Sequence, residues 1–256
     1  MKVSIITICL NAEGMIERTI NSVLEQEYDD IEYIVVDGKS SDGTIEIINR
    51  YKDKIQKIVS EKDNGIYDAM NKGFALSNGA IINYLNAGDT FCNPQTVTNV
   101  VDHFIEDQNL DMIFGDVYLC ENNTVSGEKQ YDNATKQYLL LNFLCHQTIF
   151  VKKKILEITN GFSMQYQIHS DYEWLLNTII RLKIRTKYLR QKICYFDMTG
   201  VSVFRADYRE LKKIRKQYYG ILKAVYADLT RYYHNRYYYL SIMIGKLKNI
   251  SRHSIR

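Results

Sequence analysis

The chain has 256 residues, a mass of 30.0 kDa and a hydrophobic fraction of 46%, which allows one large domain or one domain with an appendage. Five cysteines without a Cys-x-x-Cys pair argue against a disulfide framework and a zinc knuckle, and favour a reducing cytoplasm. The net charge of +3 hides an asymmetry, because residues 205–256 carry +10 and residues 1–204 carry −7.

Strands and helices alternate in the first half of the chain. Apolar, β-branched runs predict strands over residues 3–9, 31–36, 55–59 and 80–85. Periodic segments between them predict helices over residues 13–25, 45–51 and 65–78. The first run is short and lacks a cleavage site, so we interpret it as a buried strand rather than a signal peptide. This alternation is typical of an α/β fold with a parallel, doubly wound sheet.

The second half begins with a predicted helix from Pro94 to about Glu106. Further strands are predicted over residues 112–119, within 143–151, and over 185–189 and 192–196. The polar segment 121–130 predicts a hairpin tip or a mobile loop, and residues 171–182 predict an apolar helix. A flexible turn is expected at residues 200–202, followed by a helical, basic tail. No stretch approaches the roughly 20 apolar residues needed to span a bilayer.

Polar clusters follow four of the predicted strands. They are Asn11, residues 37–42, residues 63–64 and residues 86–89. Because the carboxyl ends of parallel strands share one edge, all four clusters should face one crevice, where ligands bind in open α/β sheets. Asp89 is placed to hold a divalent metal on a diphosphate, or alternatively to cap the next helix. The sequence has neither the glycine motif of dinucleotide-binding proteins nor that of P-loop proteins, which argues against dinucleotide binding and P-loop phosphate binding.

Seven segments together resemble a family 2 glycosyltransferase with the GT-A fold, over roughly residues 1–204. In chain order they read SIITICLN, YIVVDGKSSDGT, EKDNGIYDAMNKG, YLNAGDTF, IFGDVYL, HQTIFVKK and HSDYEWLL. The resemblance implies a Rossmann-like, mostly parallel central sheet flanked by helices, with residues 205–256 as a basic helical extension. It also implies transfer of a sugar from a nucleotide-sugar donor to an acceptor hydroxyl, usually with inversion.

The resemblance implies a set of donor-binding residues. Asp37 would accept a hydrogen bond from a uracil-like base, with a turn residue as the alternative. Asp42 would contact base or ribose, or cap a helix. Asp68 and Asn71 lie on one helical face and would touch ribose or sugar, or bind neighbouring backbone. The backbone near Thr7 to Asn11 would line the nucleotide pocket, and Asn64, Gly65 and Asn86 complete this expected donor site.

Asp89 matches the last acid of the family's D-x-D element, which implies Mn²⁺ or Mg²⁺ on the leaving diphosphate. The sequence departs from this pattern, because Asn86 and Gly88 stand at or near the positions of the earlier acids. Gly38 likewise stands where many members have a second Asp. These departures motivate a non-catalytic nucleotide-sugar or glycan-binding protein as an alternative.

Asp171 matches the family's general base, which takes the proton of the acceptor hydroxyl. A helix N-cap is the alternative role for Asp171, and Glu173 is the fallback base. Trp174 shares the helical face of Asp171 and is either a sugar platform or a packing residue. Acceptor or diphosphate contacts are implied for Asp116, His146 and Gln147. Residues 192–202 would form a loop that closes over the donor.

The basic tail interleaves Lys and Arg with nine tyrosines. Such a pattern favours an anionic membrane surface, and a packed or oligomeric helical pair is the alternative; nucleic-acid binding ranks third. We therefore expect a cytoplasmic enzyme at the inner face of the membrane, using a UDP-sugar and a lipid-linked glycan of the capsule or O-antigen type. GDP- or dTDP-sugar donors remain open. A sugar-1-phosphate nucleotidyltransferase ranks low, because LNAEGMIER follows the first strand instead of a glycine- and Arg-rich phosphate loop.

Overall fold

The structure is a computed structural model that describes residues 1–131, 134–200 and 207–230. The strands of its sheet are β1 (Val3–Cys9), β2 (Ile31–Asp37), β3 (Lys57–Ser60), β4 (Ile81–Tyr84), β5 (Thr90–Phe91), β6 (Met112–Glu121), β7 (Thr124–Lys129), β8 (Ile149–Lys152) and β9 (Thr186–Asp197). The helices are α1 (Ile16–Leu24), α2 (Thr44–Arg50), α3 (Ile66–Leu76), α4 (Thr96–Glu106), α5 (Lys136–Leu141), α6 (Lys153–Thr159), α7 (Ser170–Leu176), α8 (Tyr208–Tyr219) and α9 (residues 221–230). A 3-10 turn spans His146–Thr148, and a π-helical segment, Asn177–Leu182, extends α7.

All nine strands form one mixed sheet in the order β3-β2-β1-β4-β8-β6-β9-β5, with β7 on β6. Strands β3, β2, β1 and β4 are parallel, and β6 pairs in parallel with β9. Strand β8 runs antiparallel between β4 and β6, and β5 and β7 run antiparallel to β9 and β6. The predicted α/β fold with a mostly parallel sheet is therefore confirmed, since six strands share one direction.

The centre of the sheet is buried because both faces of its strands are predominantly apolar. Every residue of β1 is buried, and Ile5 and Ile6 are completely so. Helices on both sides complete this burial, and each fully buried Ile contributes about 1.5–3 kcal/mol. This packing fixes the carboxyl ends of β1, β2 and β4 as a rigid edge.

Several predicted bounds are corrected by the structure. The first helix starts at Ile16 rather than residue 13, since residues 13–15 form a turn. For the polar segment 121–130, the structure shows the hairpin of the two predicted alternatives, and β7 lies within that segment. The two strands expected over 185–189 and 192–196 are one strand, β9, whose pairing with β6 shifts register on either side of Asp116.

The first part of the basic tail packs on the body. In α8, Leu211, Ile214, Arg215 and Tyr218 are buried, and Arg215 pairs with Asp228 of α9 at 3.3 Å. The predicted boundary at residue 205, the turn at residues 201–202 and the tail beyond residue 230 lie outside the described residues. Among the helices of the described ranges, none is long and apolar enough to cross a membrane.

Candidate active site

The loops after β1 and β2 are joined by hydrogen bonds at the carboxyl edge of the sheet. Asn11 Oδ1 accepts the N–H of Ser41 at 2.9 Å, and Asn11 N donates to Ser40 Oγ at 2.8 Å. Asp63, after β3, lies against Gly38, because a Cβ added there would be 2.8 Å from Asp63 Oδ2. The polar clusters after the first three strands therefore share one edge, as predicted.

Asp37 ends β2 and is completely buried. Its carboxylate accepts the Ser60 hydroxyl at 2.6 Å and the Ser40 N–H at 3.1 Å. The turn of residues 38–41 therefore lies against this carboxylate.

Two expected donor residues have internal partners in this structure. Asp42 caps α2, since its Oδ1 accepts the Thr44 N–H at 3.1 Å. The hydrogen bond from the Thr44 hydroxyl is the largest of the causes that lower the pKa of Asp42. Thr7 is fully buried, and its hydroxyl donates to the Leu85 carbonyl at 2.8 Å. The side chain of Thr7 therefore stabilises the sheet, and the expected contact of the donor with the backbone near Thr7 stays a prediction.

The expected donor residues before and within α3 differ in exposure and in their hydrogen-bond partners. Asn64 and Gly65 are exposed, and Gly65 has φ +111°, a conformation that favours glycine. Asp68 accepts the Asn64 N–H at 2.8 Å and pairs with Lys72 at 3.2 Å. Asn71 instead binds Phe162 backbone through both its amide nitrogen and its oxygen, each at 2.8 Å. Of the two roles open for Asn71, the structure shows backbone binding.

Asp89 lies just after β4 and is only 3% exposed. Its Oδ2 accepts the side-chain amide of Gln147 at 2.8 Å, and its Oδ1 accepts the N–H of Asp197 at 2.8 Å. Burial raises the pKa of this carboxyl to about 7, and the two hydrogen bonds only partly oppose that rise. Asp89 is thus a buried carboxylate whose hydrogen-bond donors are neutral.

These properties fit a divalent cation held jointly with a diphosphate. Each carboxylate oxygen of Asp89 retains a lone pair, and a cation would supply the missing countercharge. Mg²⁺ in particular is commonly bound by one or two carboxylates together with substrate phosphates. Over the ranges that the structure describes, no group of three or more His, Cys, Asp and Glu is arranged to hold a metal by itself.

Backbone geometry accounts for the glycine before Asp89. Gly88 has φ +103°, and a Cβ there would lie 3.1 Å from Met15 Sδ and 3.3 Å from the Asp197 side chain. An acid at this position would be strained and would crowd a second carboxylate. That carboxylate, Asp197, pairs with Arg18. Arg18 was not predicted from sequence, because no motif carries it. Asp197 was covered only by the expected loop over residues 192–202, and the structure instead places Asp197 at the end of β9.

Asp171 stands in the first turn of α7 with its side chain 28% exposed. Oδ1 accepts the Tyr67 hydroxyl at 2.9 Å and the Tyr172 N–H at 2.8 Å, and Oδ2 lies 3.3 Å from His146 Nδ1. Burial acts to raise the pKa of Asp171, but the hydrogen bond and charge of His146, with the Tyr67 hydroxyl, outweigh it and lower the pKa. The carboxylate is therefore ionised at neutral pH.

The His146 ring lies between the side chains of Asn86 and Asp171. Its Nε2 lies 3.0 Å from Asn86 Nδ2 on the other side of the ring from Asp171. If the Asn86 amide donates to Nε2, then Nδ1–H is the group that faces and donates to Asp171. His146 and Gln147 are neighbours in one turn, so this turn reaches both carboxylates.

Two other expected site residues have mainly structural contacts. Trp174 is 4% exposed, donates from Nε1 to Thr159 Oγ1 at 2.9 Å and packs on Phe162. Asp116 is 5% exposed and accepts the Tyr131 N–H and the Tyr188 hydroxyl. A cavity of about 20 Å³ beside Asp171 and Trp174 is large enough for a water molecule.

Comparison with known proteins gives consistent results. Residues 4–206 match the family model described as Glycosyl transferase family 2. A "PGL/p-HBAD biosynthesis glycosyltransferase" of Mycobacterium bovis (strain BCG / Pasteur 1173P2) is 26% identical over 215 residues, which cover 82% of this chain and 83% of the relative.

Solved structures share the fold. Residues 1–349 of Staphylococcus aureus TarS, in complex with UDP-GlcNAc, have a TM-score of 0.63 and 18% identity, and the match covers 84% of this chain and 64% of that TarS chain. The mannosyltransferase PcManGT from Pyrobaculum calidifontis, in complex with GDP-Man and Mn²⁺, has a TM-score of 0.61 and 19% identity, covering 90% of this chain and 64% of PcManGT.

Proposed function

Because this chain belongs to glycosyl transferase family 2 and is a glycosyltransferase, we propose that it moves a sugar, with inversion, from a UDP-sugar to a hydroxyl of a lipid-linked glycan in bacterial surface polysaccharide synthesis. Residues 1–204 form the transferase domain and residues 205–256 the tail. The observation that carries this proposal is the 3-10 turn whose neighbouring residues, His146 and Gln147, contact the carboxylates of Asp171 and Asp89.

Asp171 is the general base of the proposed reaction. It takes the proton of the acceptor hydroxyl while that oxygen bonds to the anomeric carbon from the face opposite the diphosphate. The bond between the anomeric carbon and the diphosphate oxygen breaks, and UDP leaves. His146 and Tyr67 hold the carboxylate ionised and oriented.

Asp89 and the donor diphosphate would hold Mn²⁺ or Mg²⁺, which would neutralise charge on the leaving group. The donor lies along the carboxyl edge, where the exposed Asn11, Asn64 and Gly65 can approach the nucleotide. Asp37 reads the base of the nucleotide. The complexes of TarS with UDP-GlcNAc and of PcManGT with GDP-Man and Mn²⁺ support this class of donor.

Calorimetric titration with UDP, GDP and dTDP, each with and without Mn²⁺, tests the donor site. We expect UDP to bind most tightly and Mn²⁺ to increase its affinity, and Asp89→Ala to abolish the metal effect. Preference for GDP or dTDP would reassign the donor, and absence of binding by all three would refute the site. Release of UDP from UDP-sugars tests catalysis, with Asp171→Asn as the inactive control.

The tail supports a membrane-linked acceptor. In α9, Ala224 and Ala227 are buried, whereas Ile221, Leu222 and Leu229 are 61%, 87% and 51% exposed. Exposed lysines, among them Lys212, Lys213, Lys216 and Lys223, lie on these helices. An outward apolar face with nearby cations fits an anionic bilayer. We place the enzyme at the inner face of the membrane, in keeping with five free cysteines.

Sedimentation with vesicles tests this placement. We expect binding to phosphatidylglycerol-containing vesicles, little binding to phosphatidylcholine alone, and loss of binding in Leu222→Asp. Ile158→Asp is the matched control, because Ile158 is 62% exposed on α6, outside the tail. Self-association by this face, without vesicle binding, would replace the membrane with a second copy of the chain.

A further inference from the structure

The first helix of the tail is bonded directly to the segment that precedes Asp171. The Glu210 carboxylate, on α8, accepts three consecutive backbone N–H groups, from Gln167 at 2.6 Å, Ile168 at 3.2 Å and His169 at 3.3 Å. Three donors converging on one carboxylate make a strong anchor, because charge-assisted hydrogen bonds are stronger than neutral ones.

The anchored peptide is also in contact with the base. The Ile168 carbonyl accepts the Tyr67 hydroxyl at 2.5 Å, and the same hydroxyl lies 2.9 Å from Asp171 Oδ1. One hydroxyl hydrogen is thus shared between the carboxylate and the segment that Glu210 holds. Movement of the 167–169 backbone would therefore change the orientation of Asp171.

A second contact fixes α8 along α7. The Tyr218 hydroxyl donates to the Glu173 carboxylate, and the Arg181 guanidinium lies 4.5 Å from the centre of the Tyr218 ring. Leu211 and Ile214, between Glu210 and Tyr218, are buried. The helix is therefore held at both ends and does not behave as a detached appendage.

We propose that Glu210 is a positioning residue for Asp171, so that the first helix of the tail is part of the catalytic apparatus. This inference rests on the proposed role of Asp171 as base. Without Glu210, three backbone N–H groups lose their acceptor, and the 167–169 segment gains freedom. Since a misplacement of about 1 Å costs on the order of a hundredfold in rate, turnover falls while the donor site, on other elements, is unaffected.

The test compares Glu210→Ala and Glu210→Gln with Asp207→Ala. Asp207 caps the same helix by accepting the Arg209 N–H at 2.8 Å, so its loss weakens α8 without removing the acceptor for residues 167–169. Three quantities are measured on the full chain: deuterium exchange of the 167–169 amides, UDP release from UDP-N-acetylglucosamine and UDP-glucose, and UDP affinity.

We expect Glu210→Ala to exchange these amides at least about tenfold faster and to lose about tenfold to a hundredfold in kcat, with UDP affinity within about twofold. Glu210→Gln, which keeps one acceptor oxygen, should lie between Glu210→Ala and the unaltered protein, and Asp207→Ala should resemble the unaltered protein. Unchanged exchange, unchanged kcat despite faster exchange, or an equal loss in Asp207→Ala would overturn the proposal. If the unaltered protein releases UDP from no donor, the proposed function itself fails.

Discussion

The side-chain amide of Gln147 donates a 2.8 Å hydrogen bond to the buried carboxylate of Asp89. The residue before it, His146, lies 3.3 Å from the carboxylate of Asp171. Two adjacent side chains of one short turn therefore serve two carboxylates with different proposed tasks. Substitutions in this turn should separate binding of the nucleotide from the transfer step.

The first prediction concerns Gln147→Met and His146→Gln. Gln147→Met keeps the length of the side chain but removes the donor, so it should weaken Mn²⁺-dependent UDP binding about tenfold, as expected for a partner of a metal ligand. His146→Gln should lower kcat more than it weakens UDP binding, because the imidazole contacts Asp171 directly and reaches the donor site only through Asn86. Calorimetry and steady-state UDP release measure the two effects. Identical profiles for both variants would argue that the turn acts as one structural unit.

The second prediction is that restoring an acid does not improve the metal site. Gly88→Asp places a side chain on a backbone with φ +103°, in contact with Met15 and Asp197. The strain should cost on the order of 1–3 kcal/mol of folding free energy, and the Mn²⁺ effect on UDP binding should not increase. Gly14→Asp is the control, because a Cβ at Gly14 meets nothing within 4 Å. A Gly88→Asp protein of normal stability with tighter Mn²⁺-dependent binding would contradict this prediction.

Much of the parallel half of the fold could be predicted from sequence. The β-branched runs over residues 3–9 and 31–36 predicted β1 and all but the last residue of β2, because strands buried on both faces have little polar alternation to obscure the pattern. The polar residues after them had to lie together once the strands were parallel. The direction of β8 could not be predicted, because a four-residue apolar strand carries no signal of its partner or orientation.

Sequence motifs were enough to select Asp89 and Asp171 as candidate site residues. Contacts between segments that lie far apart in the sequence could not be predicted, because no motif contains both partners. Glu210 lies 43 residues from Gln167 and 41 from His169, and Asp197 lies 108 residues from Asp89. From the sequence, the Glu210 carboxylate in a basic helix would be expected to face solvent. Its backbone partners become visible only in the structure, where α8 packs on the body.

The third prediction uses the pH dependence of Glu32→Gln. Glu32 is 5% exposed; burial acts to raise its pKa, but hydrogen bonds from Ser4 and Asn78 and the contact with Lys57 lower it to about 2. A carboxyl with a lowered pKa in the folded state stabilises the fold above its unfolded pKa near 4.5, and this contribution disappears as the pH falls towards 2.

Glu32→Gln should therefore lower the free energy of unfolding by up to about 3 kcal/mol at pH 7. The difference from the unaltered protein should shrink by about 1 kcal/mol between pH 7 and pH 3.5. Urea unfolding at the two pH values gives both numbers. The exposed Glu46→Gln serves as control and should differ little from the unaltered protein at either pH. A loss that is independent of pH would mean that shape, rather than charge, determines the role of Glu32.

The fourth prediction separates packing from sugar binding at Trp174. Its indole donates to Thr159 Oγ1 at 2.9 Å and lies 5.6 Å from the Phe162 ring, measured between centroids. Trp174→Phe removes this hydrogen bond and part of the ring volume, so the unfolding free energy should fall by about 1–3 kcal/mol. The KM for the donor should remain within about twofold, because the ring is only 4% exposed.

A double-mutant cycle with Thr159→Val makes this test specific. Thr159 loses its hydroxyl in that variant, so both single variants break the same hydrogen bond and their stability losses should be less than additive when combined. If Trp174 has a packing role, this coupling should appear in the unfolding free energies measured with urea, and the KM for the donor should show no coupling. A tenfold rise in KM for Trp174→Phe alone, with little loss of stability, would instead mean that the indole contacts the sugar, which would require α7 to move and uncover it.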